Sequence, residues 1–191
     1  LMTKPPTDPA QVLDSEIKEW HFHIYFHQNN KEEHQAALEL RDAVLRLRRD
    51  GAFVAVPFFR VNMEPMGPHP VGSYEIWAPS ESFVSVFSYL CMNRGQLSVL
   101  VHPLTRDETS DHKSRCAWIG PSFPLDVSML PPKLDEIPLQ YPSLKLGYSS
   151  TVPQISLEER LKWGDKIEAI LAGEKNAEKA PVREIASETS D

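Results

Sequence analysis

The chain has 191 residues, of which 41% are hydrophobic and 25% charged, an ordinary globular balance that can build one core with extensions. Its formal net charge of -7, without a cluster of Lys and Arg, excludes the basic stripe a nucleic-acid partner needs. No apolar run approaches the ~18 residues of a membrane span, and the opening "LMTKPPTDPAQ" lacks the apolar core of a signal peptide; a soluble cytoplasmic protein is expected, with a trimmed leader left open by the missing initial Met.

Residues 1–18 are rich in Pro and polar groups and are read as a flexible lead-in. The stretch "EWHFHIYF" then alternates as a half-buried strand. Over 31–50, Ala37, Leu40, Val44 and Leu47 recur at helical spacing, and Asp50-Gly51 supplies a stop. "AFVAVPFFRV" (52–61) reads as a second strand, with Pro57 favouring an edge. The loop "NMEPMGPHPVG" follows, and "SYEIWA" returns as a third strand. Pro79-Ser80-Glu81 starts a second helix whose stripe is Phe83, Val86, Phe87 and Leu90, with Asn93-Arg94-Gly95 as its end. "LSVLVHPLT" is a fourth strand. The order βαββαβ predicts an α+β, ferredoxin-like domain over 19–120: an antiparallel sheet in the order 4-1-3-2, both helices on one face and the other face uncovered.

Beyond 120 the chain is dense in Pro and is expected to run as an extended wrap, followed by a helix capped by Ser156 and Glu159 and ending near Gly173. This gives a C-terminal segment over 121–173 and a charged, aromatic-free, disordered tail over 174–191. Cys91 and Cys116 lack CxxC spacing and read as reduced thiols.

Alternation sets the chemistry. If Phe22, Ile24 and Phe26 face the helices, His21, His23 and Tyr25 line the open face. Val99 and Val101 share one parity of the fourth strand, which leaves His102 on that face, and antiparallel pairing brings it toward His21 and His23. In the third strand Glu75 and Trp77 look the same way. Three neutral imidazoles and a carboxylate make a mixed N/O site suited to iron(II) or zinc. The alternative is a solvated strand face that happens to carry histidines. His69, stiffened between Pro68 and Pro70, suits proton transfer, metal ligation or anion recognition, or is incidental in a Pro-rich connector. Asp111-His112 offers a carboxylate to orient an imidazole, or a solvated loop. His27 and His34 read as surface residues. The chain has no GxGxxG, HExxH or GxSxG pattern.

The blocks "HFHIYF", "GPHPVGSYEI", "MNRGQLSVLVHPLT" and "DHKSRCAWIG" together resemble the DOPA 4,5-dioxygenase family over about residues 19–120. The resemblance implies a ferredoxin-like fold, a nonhaem iron(II) centre and extradiol cleavage of L-DOPA or a related catechol by dioxygen, giving a seco-DOPA product. The family's recurrent histidines match His21, His23, His69, His102 and His112. The resemblance does not choose ligands among them; the strand geometry above gives the expectation of His21, His23 and His102 as metal ligands with Glu75 as a fourth or substitute ligand. His69 and His112 carry protons, and Tyr25 and Trp77 border the ring. Arg94 or Arg60 would pair with a substrate carboxylate, although Arg94 also suits capping of helix carbonyls. Zinc is the substitute metal. The competing reading is a noncatalytic ferredoxin-like module that dimerises through the open face.

Overall fold

A computed structural model describes residues 4–181. They divide into two compact units, Glu16–Thr151 and a smaller one drawn from the residues before 16 and after 151. Among the described residues no helix is long and apolar enough to cross a membrane.

The larger unit is built on β1 (Glu19–Phe26), α2 (Lys31–Arg49), β2 (Val56–Pro57), β3 (Gly72–Pro79), α3 (Ser80–Asn93), β4 (Ser98–Pro103), α4 (Glu108–Lys113) and β5 (Ala117–Ile119). The smaller one contains α1 (Pro9–Asp14) and α5 (Leu157–Leu171). The sheet is antiparallel and five-stranded, in the order β2-β3-β1-β4-β5. It differs from the expected four-strand order 4-1-3-2 by a fifth strand on the β4 edge, where Val99, Leu100 and Val101 pair with Ile119, Trp118 and Ala117. That strand has only three residues, too few for alternation to announce it.

The helix-facing side of the sheet carries the core. Phe22, Ile24, Ile76, Val86, Leu90, Val99 and Val44 of α2 are all buried, as the alternating and helical spacings require. α2 begins at Asn30, whose side-chain oxygen accepts from the amides of Glu32 and Glu33. It ends in a Schellman turn: Ala52 N–H donates to Leu47 O at 2.9 Å, Gly51 N–H to Arg48 O at 3.3 Å, and Gly51 has φ +83°.

Three sequence expectations need correction. β2 covers two residues rather than 52–61, because Pro57 has no N–H to donate and the ladder lapses there; β2 does lie at the sheet edge. The lead-in contains a helical turn, α1, which Asp8 caps by accepting from Ala10 N–H, with Pro9 in the first turn where a missing donor costs nothing. The sheet face opposite the helices is not open. The Pro-dense chain after β4 crosses it, pinned by Tyr148 O–H to Leu104 O (3.0 Å), Tyr148 N–H to Glu19 (3.0 Å), Asp126 N–H to Pro68 O (3.0 Å) and Leu134 N–H to Arg106 O (2.7 Å).

α5 has the expected capping box, with Ser156 and Glu159 each accepting from the other's backbone. Residues 174–181 form only turns and irregular chain, and 182–191 of the expected tail lie outside the described residues. Cys91 and Cys116 are unbridged.

Candidate metal centre

The pleat of β1 sends His21, His23 and Tyr25 to the side away from the helices, and all three are buried. His102 of β4 lies directly opposite His21 in the β1–β4 register, with His23 diagonal to it. Across β1–β3, Glu75 pairs with His23 and Trp77 with His21. His69 arrives from the Pro-flanked loop, which is locked by reciprocal backbone hydrogen bonds of 3.0 Å between Met66 and His69. His112 comes from α4. Five of the seven histidines thus meet on one side of the sheet. His27 and His34 do not: His27 pairs with Glu33 at 2.9 Å on the surface, and His34 stacks on Phe26.

The imidazoles are close. His23 Nε2 and His102 Nε2 are 3.0 Å apart. Ring centroids lie 3.9 Å apart for His102 and His112, and 4.4 Å for His23 and His69. Two overlapping groups bring their ligand atoms within 4.8 Å of one another: His21, His23 and His102, and His23, His69 and His112. His23 belongs to both.

Backbone carbonyls orient two of the rings. His102 Nδ1–H donates to Pro103 O at 2.8 Å and His112 Nδ1–H to Glu108 O at 2.9 Å. A neutral imidazole protonated at Nδ1 presents its lone pair at Nε2, so both rings are set as acceptors. Asp111 does not orient His112, contrary to one sequence reading. Its carboxylate accepts from Thr105 N–H (2.9 Å), Thr105 O–H (2.7 Å) and Arg115 (3.0 Å), because the i to i−4 geometry of α4 offers His112 a carbonyl instead.

Burial favours the neutral form of His23, His69, His102 and His112. It pushes His23 and His102 well below the ordinary imidazole pKa, and the neighbouring imidazoles push further in the same direction. His69 is brought down to about 4 by burial, then by His112 and His21. His112 is lowered by burial against the opposing bond to Glu108 O. Burial raises the Tyr25 phenol, so it stays protonated where its oxygen meets His69 Nδ1 at 2.6 Å.

A cavity of about 270 Å³ is lined by four of these histidines and by Glu75 and Gln140, among others, with His112 completing the set. No local sequence signal marks Gln140. Its amide N–H donates to Glu75 at 3.2 Å, which turns its oxygen to His21 Nε2, also at 3.2 Å. Glu75 stands 3.5 Å from His21 Nδ1. Glu108, its carboxyl raised by burial, also lines the cavity. Trp77 does not reach it. Its indole N–H donates to buried Glu19 at 2.8 Å and its ring packs on Tyr141. Tyr25 touches the site through His69 and otherwise packs on Trp118 and Phe123.

The donor set fits a cation. With His102 fixed as an acceptor at Nε2, the 3.0 Å approach of His23 Nε2 requires a proton or a positive ion between them. The same holds at His21: if its Nε2–H donates to Gln140, its Nδ1 lone pair faces a carboxylate. Two imidazoles each ~2.1 Å from one ion at right angles stand ~3 Å apart.

The sequence profile of the "Dopa 4,5-dioxygenase family" matches residues 20–129. The chain belongs to this family. Over 184 residues, covering 96% of this chain and 81% of the relative, it is 77% identical to a protein of Amanita muscaria named DOPA 4,5-dioxygenase. It is also 41% identical over 131 residues, 63% of this chain and 68% of the relative, to an uncharacterized 21.2 kDa protein of Botryotinia fuckeliana. Among solved structures, a crystal structure of a Nostoc punctiforme protein provisionally named a dioxygenase superposes with a TM-score of 0.52 at 30% identity, covering 59% of this chain and 90% of that one. The family match ends before Gln140, so the glutamine that joins Glu75 to His21 lies outside it.

Proposed function

We propose that this protein is a nonhaem iron(II) extradiol dioxygenase that opens the ring of L-DOPA, or a closely related catechol, with dioxygen to give a seco-DOPA product. The observation that carries this reading is the convergence of five buried imidazoles on one cavity, two of them with Nε2 atoms 3.0 Å apart. The 77% identity to a protein named DOPA 4,5-dioxygenase supports the choice of substrate.

His21, His23 and His102 would hold the iron, with Glu75 beside His21 as a fourth donor. When bound, iron(II) supplies the acidity that ionises a catechol and the one-electron chemistry that lets ground-state dioxygen react with a closed-shell ring. The chain supplies the rest. The carbonyls of Pro103 and Glu108 hold the His102 and His112 rings so that Nε2 faces inward as an acceptor. His112 Nε2 is thereby set to take a phenolic proton, and burial keeps it unprotonated beforehand. His69, held at Nδ1 by the Tyr25 hydroxyl, is the second proton carrier. The five histidines are each less than a tenth exposed, and that shielding from water strengthens each of these contacts. The same covering removes the bare sheet face that a noncatalytic dimerisation module would need.

The test is anaerobic loading with iron(II), addition of L-DOPA, and then air. Consumption of dioxygen with a product heavier than L-DOPA by one dioxygen is expected. Iron-loaded protein that binds metal but consumes no oxygen with any of several catechols would overturn the reading, and oxygen-independent turnover with zinc would replace it.

A further inference from the structure

A second cavity of about 220 Å³ adjoins the first. It shares His23, Pro68, His69 and Glu75 with the metal cavity, and its other side is formed by the chain between β2 and β3, including Phe58, Arg60 and Asn62. This chain is rigid. Phe58 N–H donates to Glu75 O at 2.8 Å, and Asn62 exchanges backbone hydrogen bonds with Ser73 at 2.8 and 3.0 Å.

Two features of this cavity have no use within the chain. Arg60 is exposed and forms no ion pair with the described residues; its guanidinium carbon lies over the Phe58 ring, 5.9 Å from the centroid. Asn62 Oδ1 is buried without a hydrogen-bond partner, a cost that a native chain rarely leaves in place. Arg94 is committed elsewhere: it donates to Gly95 O at 3.0 Å and Leu97 O at 2.7 Å. A fork of donors, an orphan acceptor and the Glu75 carboxylate thus border one recess that opens onto the histidines.

We infer that this second cavity is the subsite for the zwitterionic head of an α-amino acid, with Arg60 pairing to the carboxylate and Asn62 Oδ1 accepting from the ammonium. The inference rests on the catechol reading above, which places the ring in the histidine-lined cavity and leaves the side chain to enter the adjoining one. It makes the enzyme selective for amino-acid catechols over simple ones, through Arg60 and Asn62.

The experiment is calorimetric binding to the full, iron(II)-loaded chain without oxygen, using L-DOPA, dopamine (no carboxylate), dihydrocaffeate (no ammonium) and methylcatechol (neither). The unmodified protein should prefer L-DOPA to dopamine and to dihydrocaffeate by about 10- to 100-fold each, the range expected of a charge-assisted contact. Arg60→Met should collapse the L-DOPA to dopamine ratio toward one, Arg60→Lys should restore part of it, and Asn62→Ala should collapse the L-DOPA to dihydrocaffeate ratio. Equal affinity of the unmodified protein for all four catechols, or an undiminished L-DOPA to dopamine ratio in Arg60→Met, overturns the subsite and leaves the dioxygenase reading standing. Binding of none of the four removes both.

Discussion

His23 Nε2 and His102 Nε2 face each other at 3.0 Å between diagonal positions of neighbouring antiparallel strands. With His102 turned by Pro103 O so that Nε2 carries a lone pair, the pair is either a hydrogen bond or two ligands of one ion. His23 also stands within reach of His69 and His112, so a metal held at His23 has two alternative sets of partner imidazoles. Replacing residues on either side of His23 separates them. His102→Ala should lower iron affinity by more than ~100-fold, since a ligand is lost where outer contacts alone account for ~10- to 100-fold. His69→Ala should retain iron through desalting and lose oxygen consumption. The converse pattern in metal analysis would move the metal to His23, His69 and His112.

Gln140 acts through others. It donates to Glu75 and presents its oxygen to His21, so it fixes the ring of one proposed ligand and the direction of a carboxylate. Gln140→Ala should weaken iron binding by ~10- to 100-fold while the fold, read by circular dichroism, stays intact. Gln140→Glu should recover part of the affinity, because its carboxylate can still accept from His21. An affinity unchanged in both variants would leave Gln140 as a mere cover.

The stability of the metal-free protein should fall on mild acidification. His69 titrates at about 4 in the folded state against 6.5 as an ordinary imidazole, and His23 and His102 are displaced in the same direction. Between these values the unfolded chain binds more protons, so the contribution is complete above 6.5 and is lost as pH falls toward 4. Each such imidazole contributes a slope of up to ~1.4 kcal/mol per pH unit in that window. Glu108, raised by burial, acts in the opposite sense, its contribution lost as pH rises from its ordinary value through its raised one. Urea midpoints measured across this range should decline with acid, and more weakly in His69→Ala. A flat profile would mean the rings are already protonated or exposed.

Glu19 ties the covering segment to the sheet. Its buried carboxylate accepts from Trp77 Nε1–H at 2.8 Å and from Tyr148 N–H at 3.0 Å. Beside it, Gly147 has φ +59°, and a Cβ there would lie 2.5 Å from Glu19 Cγ. Gly147→Ala combines a left-handed backbone with a clash against a fixed side chain, and should cost ~2–4 kcal/mol in a denaturant titration. Glu19→Ala leaves two donors unsatisfied and should cost a similar ~2–4 kcal/mol. Losses under ~0.5 kcal/mol in both would show that the segment is held elsewhere.

Much of this site was legible because a strand has a period of two. Phe22, Ile24 and Phe26 assigned the helix face, so His21, His23 and Tyr25 had to share the other, and the antiparallel order set His102 opposite His21. That the Pro-dense chain wraps was legible, but which of its residues reach the site was not. Gln140 lies 119 residues from His21, in a Pro-dense stretch without helical or alternating period, and nothing local marks it as a partner. β2 is shorter than its composition suggests, because Val and Phe content favours a strand over 52–61 while Pro57 interrupts the ladder. Adjacency of Asp111 and His112 in sequence suggests either an orienting carboxylate or a solvated loop, and neither forms: both residues are buried in a helix, which points neighbouring side chains to different sides and hands His112 the carbonyl one turn back.

The tie from Gln140 to Glu75 and His21 has a consequence for how such a centre can diversify. The pleated scaffold fixes where the imidazoles stand, while a side chain from a distant, irregular strand of chain governs how one of them is aimed. Insertions or exchanges around Gln140 can therefore retune the reactivity of the centre without disturbing a single β-ladder hydrogen bond, so the part of the molecule with the least regular structure offers the most freedom to adjust its chemistry.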